Sequence, residues 1–329
     1  MILTKQKPVE QSPLVECDIE EPHAGTGELR LKVSACATCR TDIHIAEGDL
    51  ELHKVPLILG HQIVGRIDQI GSGLTNRRVG DRIGVGWLRH VDGTCEFCAR
   101  GRENLCRESR YTGYDADGGY AEYAVVPDEF AYDLPNEFDD EQIAPLLCGG
   151  LIGYRALERA TVPKNGRLLL VGFGRSAHIV IQLAVARGHE VYVVTRSENH
   201  LREARSLGAA CAGADFRDLP AKMHSAILFA PVGKLVPPIM EALDRGGVCA
   251  IAGIHLSEIP ALDYSRHLFQ ERELRSVTAN TRDDARALLA EAAAAKIRPR
   301  TSSYSLGEAN RALADMEASR SAGTPVLIP

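Results

Sequence analysis

The sequence predicts an α/β protein in two unlike parts, a small β-rich barrel with long loops and a parallel sheet covered by helices. Three observations carry this reading. The first 150 residues are short strands broken by turn residues, the middle of the chain alternates strand with helix, and a glycine-rich turn joins the first strand and helix of that alternation. At 329 residues the chain is long enough to bury two cores.

In chain order, "ELRLKVSAC", "HQIVGRIDQIG", "DRIGVGW" and "GGYAEYAVV" read as strands, and helical signal is sparse before Gly149. The pattern then changes. "LIGYRALERA" places Leu151, Tyr154 and Leu157 on one helical face and is ended by "VPKNG". Strand "RLLLVG", helix "AHIVIQLAVARG", strand "EVYVV", helix "ENHLREARSLG" and strands "SAILFA" and "GGVCAIAG" follow. The tail holds an alanine-rich helix "DDARALLAEAAAAKI", a short helix "LGEANRALADMEA" and a strand "PVLIP". We expect it to complete the first domain, giving residues 1–150 with 279–329 as one domain and 151–278 as the other.

Charge and composition narrow the function. Hydrophobic residues at 45% and charged residues at 25% describe an ordinary globular protein. The net charge of −6 argues against nucleic acid or an anionic membrane as partner. The "RR" at 77–78 and "RPR" at 298–300 read as solvated loop charge. No signal-peptide core and no apolar run near the ~18 residues of a membrane span is present, so a cytoplasmic protein is expected. Nine cysteines, an odd number, speak against a disulfide framework. Cys17, Cys36, Cys211 and Cys249 lie singly beside apolar stretches and read as buried, inert thiols.

In "LLLVGFGRSAHIVIQLA", Gly172, Gly174 and Ala177 fill the positions of a G-x-G-x-x-G/A turn. The first permits the turn, the second lets backbone approach a pyrophosphate, and the third lets helix and strand pack closely. Glycines also make plain βα turns. The placement between strand and helix, with a second strand ending at Val194, favours a dinucleotide.

Metal chemistry is suggested twice. Cys39, His61 and Cys148 supply two thiolates and one imidazole, a catalytic zinc set with the fourth position open. Each is far from the others in sequence, so spacing alone proves nothing. Cys95, Cys98 and Cys106 stand at a zinc-site rhythm with Asp92 three residues before the first. Asp92 makes this a damaged site, an oxygen-ligated one or a coincidence.

The motifs C-R-T-D-I-H, G-H-x-x-x-G, "GRENLC", "DGGYAEY", "PLLC", the glycine turn and "FAPVG" run nearly the whole length. Together they resemble the zinc-dependent medium-chain alcohol dehydrogenases of the compact microbial type, whose catalytic zinc is held by a Cys2His set of this kind. The resemblance implies a GroES-like catalytic domain and a doubly wound Rossmann domain. The implied activity is hydride transfer between an alcohol, aldehyde or ketone and NAD(P), in a homodimer or homotetramer. It implies catalytic zinc on Cys39, His61 and Cys148, with Asp42 orienting His61. Arg40 would meet the cofactor pyrophosphate, and Thr41 would bond the alcohol and pass its proton toward His44. Trp87 is a wall of the alcohol pocket or a structural tryptophan. Aligning on "GRENLC" puts Asp92 where the family has the first cysteine of C-x2-C-x2-C-x7-C. A carboxylate is an acceptable zinc ligand, so Asp92, Cys95, Cys98 and Cys106 are expected to hold a second, structural zinc. A second departure is Gln62, where the family has glutamate; a neutral amide visiting the metal would bind it more weakly. A catalytically silent relative and a zinc-free quinone reductase remain as other readings. The joint presence of Cys39, Thr41, Asp42, His44, His61 and Cys148 argues against both.

NADP is expected over NAD. Thr195 stands at the end of the second strand, where NAD-binding units place a carboxylate on the ribose, and Arg196 and Ser197 follow with donors for a 2′-phosphate. Should Arg196 only face solvent, either cofactor would serve; an NAD enzyme would point to Glu198 instead.

Overall fold

The computed structural model describes residues 1–329 as two compact units. The first comprises Met1–Gly149, Ala279–Ala293 and Arg298–Pro329, and the second Gly150–Thr278 with Ala294–Ile297.

In the first unit β1 (Glu28–Ala37) is the long central strand, and Leu29, Leu31 and Val33 alternate inward from it. It turns at Thr38–Cys39 into α1 (Arg40–Glu47). This helix departs from the expected scarcity of helix. Its Ile43 and Ile45 alternate as a strand would, and Cys39 is an unusual N-cap. The reciprocal bond of Asp42 to the Cys39 backbone nonetheless closes a capping box. Next come β2 (Gln62–Ile70), β3 (Arg82–Val85), β4 (Tyr123–Pro127) and β5 (Ala131–Asp133). β2 covers one side of β1 along most of its length, while β4 pairs with the first half of its other side. Arg77, expected as solvated loop charge, is instead largely buried and binds Asp128 and Asp133. That pairing follows from burial, since a guanidinium leaves water only with partners.

The second unit is entered through α2 (Gly149–Ala160). Then β6 (Arg167–Val171), α3 (Arg175–Ala186), β7 (Glu190–Val194), α4 (Glu198–Ser206), β8 (Cys211–Gly213), β9 (Met223–Leu228), α5 (Val236–Ala242), β10 (Leu243–Ile251) and β11 (Glu273–Ser276) follow. The strands are all parallel in the order β8-β7-β6-β9-β10-β11. That is the doubly wound dinucleotide-binding arrangement, with the order reversing between β6 and β9. Leu168–Val171 are all buried, as a strand covered on both faces requires.

The chain then returns through α6 (Arg282–Ala294), β12 (Thr301–Ser305), α7 (Ala309–Glu317) and β13 (Thr324–Ile328). β12 and β13 are parallel, and β13 pairs with Cys36–Ala37 at the far end of β1. The first unit's sheet is therefore seven-stranded. The thiols differ from expectation in part: Cys36 and Cys249 are buried, but Cys17 is exposed and Cys211 half-buried. Cys17 follows a two-residue strand too short to cover it. No helix is long and apolar enough to cross a membrane.

Candidate active site and metal loop

Cys39 caps α1, His61 immediately precedes β2, and Cys148 ends a 3-10 turn over Ala144–Leu147. Their ligand atoms lie within 4.8 Å of one another. Gly60 makes the approach to His61 possible. Its φ is +94°, and a Cβ there would sit 2.3 Å from the Tyr120 ring. The two thiols are 3.6 Å apart. The proton shared with Cys148, helped by the His61 ring, holds Cys39 well below an ordinary thiol and leaves Cys148 well above. Burial alone would depress the His61 imidazole, yet Asp42 and Cys39 raise it to about 10. His61 is fully buried and its Nε2 has no hydrogen-bond partner. An orphaned buried nitrogen facing two thiols fits a soft divalent metal.

Asp42 organises the surroundings. Its Oδ1 is 3.3 Å from His61 Nδ1, a charge contact outside hydrogen-bond geometry. Its Oδ2 accepts the Cys39 N–H at 2.7 Å and the Tyr120 hydroxyl at 3.0 Å. Tyr120 was missed as a site residue. "DGGYAEY" marked the stretch, but nothing in its pattern pointed its hydroxyl at a residue 78 positions away. Gln62 does not face the metal donors freely either, because its amide binds the Ala37 and Thr38 carbonyls.

Thr41 is buried with Oγ1 3.7 Å from Cys39 Sγ. His44 is half-buried, and its Nδ1 is 2.7 Å from Asp49 Oδ2. Trp87 meets His61 edge-on at 4.8 Å and stacks on Tyr111 at 4.8 Å, which places it beside the three metal-ligand candidates. Arg40 is paired with Glu317 of α7.

The Asp92 loop brings its four residues together as well, again with ligand atoms within 4.8 Å. One Asp92 oxygen accepts the N–H groups of Thr94 and Cys95, each at 2.8 Å, and Cys106 Sγ accepts the Asp92 N–H at 3.3 Å. Those backbone donors hold Asp92 below the usual carboxylate range. Burial and the neighbouring Cys95 and Asp92 push Cys98 up to about 12. Four donors crowded this closely repel as anions, and a bound cation relieves that repulsion.

In the second unit Gly172 has φ +83°, and a Cβ would lie 2.8 Å from Ala230 N just beyond β9. Nothing lies within 4 Å of the Cβ position of Gly174, which leaves its backbone open at the start of α3, and Ala177 is fully buried. This fits a pyrophosphate at the reversal of strand order. Thr195 follows β7 with its N–H on Gly213 O, Arg196 is exposed, and Ser197 caps α4.

The alcohol dehydrogenase GroES-like domain matches residues 25–136 and the zinc-binding dehydrogenase domain residues 177–294. A probable alcohol dehydrogenase AdhA of Mycobacterium tuberculosis is 51% identical over 98% of this chain and 94% of its own. The chain belongs to the zinc-dependent medium-chain alcohol dehydrogenases. An alcohol dehydrogenase of Geobacillus stearothermophilus is 33% identical over 94% of each chain. A thermostable alcohol dehydrogenase from Pyrobaculum aerophilum, 24% identical, shares the fold with a TM-score of 0.90 over 100% of this chain and 98% of its own. This dehydrogenase is therefore a zinc-dependent oxidoreductase acting on alcohols or carbonyl compounds with a nicotinamide cofactor.

Proposed function

We propose that Cys39, His61 and Cys148 hold the catalytic zinc of this dehydrogenase, and that residues 1–150 with 279–329 form its catalytic domain. The observation that carries the reading is the fully buried His61 ring, whose nitrogens have no hydrogen-bond partner and one of which lies within 4.8 Å of two thiols. Bound zinc supplies Lewis acidity toward a substrate oxygen, and the nicotinamide accepts or returns hydride. The chain does the rest. Asp42 fixes the His61 ring, and Thr41 Oγ1 accepts the hydrogen bond of the substrate hydroxyl. His44, aligned by Asp49 on Nδ1, would take up the substrate proton passed on from Thr41 and release it to water from its half-buried position. Trp87 bounds the apolar end of the substrate site, and Arg40 contributes positive charge toward the cofactor phosphates.

Asp92, Cys95, Cys98 and Cys106 bind a second zinc with a structural role. Protein purified without chelator should carry two zinc ions per chain. Cys39→Ala should lose one together with alcohol oxidation, and Asp92→Ala should lose the other together with stability. A parent content near one excludes the two-zinc reading.

Residues 151–278 bind the cofactor, with NADP ahead of NAD. Thr195 does not repel a 2′-phosphate, and the exposed Arg196 is free to pair with one. kcat/KM with both cofactors tests this: NADP preference should shrink in Arg196→Ala and reverse in Thr195→Asp. A parent that strongly prefers NAD refutes it. The enzyme is a homo-oligomer joined through the sheet unit, since β11 is an edge strand and Tyr264 and Phe269 are exposed at 64% and 62%. Its many thiol ligands require a reducing compartment, which supports the cytosol.

A further inference from the structure

We propose that Gln62 is a positioning residue that holds the Cys39 turn closed, and not a group that visits the metal. The inference rests on the zinc reading of Cys39, His61 and Cys148. Gln62 is 2% exposed, and its Nε2 donates to Ala37 O at 3.1 Å and Thr38 O at 3.0 Å. Both partners are carbonyls, so only the NH2 end of the amide can face them. They belong to the two residues just before Cys39, where β1 stops and the chain swings into α1. From other directions Thr38 N–H binds Pro325 O at 2.9 Å, and Cys39 N–H binds Asp42 Oδ2. Three consecutive residues, Ala37 to Cys39, are thus tied down.

The residue next to the metal-facing His61 therefore clamps the turn that presents the first thiol. To reach a metal ion the amide would have to abandon two buried carbonyls with no other donor on it to replace them. A carboxylate at this position has no proton for either carbonyl and would set its charge against both dipoles. The neutral amide fits the clamp, and it closes any exchange route in which residue 62 stands in for a ligand. Loss of a metal held by Cys39 would then require the turn itself to open.

Zinc release to a chromophoric chelator tests this in the parent, Gln62→Met and Gln62→Glu. The phase belonging to the Cys39 site is the one that disappears in Cys39→Ala. Methionine matches glutamine in length without its donors, so that phase should run about tenfold faster, the loss expected from two hydrogen bonds. The Asp92-site phase should keep its rate. The absorption bands of cobalt placed in the Cys39 site should also shift, because the thiolate is no longer held in one orientation. Gln62→Glu, which also lacks the donors, should speed the same phase. Release from Gln62→Met at or below the parent's rate, as deletion of a visiting ligand would give, overturns the clamp. Equal acceleration of both phases with a lowered thermal midpoint overturns it too, since that marks general destabilisation. If neither phase disappears in Cys39→Ala, the zinc reading itself fails and takes the clamp with it.

Discussion

Asp42 joins parts of the molecule that are distant in sequence, because one carboxylate faces His61 with Oδ1 and serves Cys39 and Tyr120 with Oδ2. A fully buried carboxylate is tolerable only with such company. Tyr120 serves twice, since its hydroxyl binds Asp42 while its ring packs beside Gly60. Tyr120→Phe keeps the ring and removes the bond. Stability in a urea melt should fall by about 1–2 kcal/mol, and zinc affinity by about tenfold. Unchanged affinity would mean that Tyr120 acts by packing alone. At this scale the sequence displayed the donor residue types, and the family motifs singled out Asp42. It hid Tyr120 and the bonds of Gln62, whose value lies in where a buried polar atom ends up.

Helix α6 meets the Asp92–Cys106 loop through Arg282, which binds Glu103 through its backbone N–H at 2.7 Å and its guanidinium at 2.6 Å. The same guanidinium lies over the Phe130 ring at 5.0 Å. Burial would raise Glu103, but the bonds to Arg282 outweigh it and hold the carboxyl below its ordinary 4.5. A depressed carboxylate stabilises the fold fully above its unfolded pKa and loses that contribution as pH falls through the lower folded value. Acid unfolding should therefore steepen below pH 4.5. Glu103→Gln should lower stability at neutral pH by about 2 kcal/mol and flatten this limb. An unchanged acid limb in the variant would exclude the pair as a source. The helix itself was legible from its alanine-rich pattern, whereas its partner, 179 residues away, was not. Helix α1 was overlooked for the opposite reason, because its local pattern alternates and only the Asp42 cap and the packing of Ile43 and Ile45 decide for helix.

For the whole molecule, the open edge at β11 and the exposed Tyr264–Phe269 pair predict association. Sedimentation at micromolar concentration should show a dimer or tetramer, and replacing both aromatics with serine should move it toward monomer. A monomeric parent would refute the interface. The sequence by itself determined the α/β class, the order of strands and helices through the middle of the chain, and the glycine turn. Periodicity and turn chemistry are local properties, carried by residues a few positions apart. Only the tertiary structure decided that Cys39 and Cys148, 109 residues apart, would stand 3.6 Å from one another. It also turned Gln62 onto the Cys39 turn and brought β13 to the end of β1. Those outcomes depend on strand register and on the paths of long loops. A one-residue slip of β2 against β1 would turn every side chain on it to the other face, and no single stretch of sequence encodes that register.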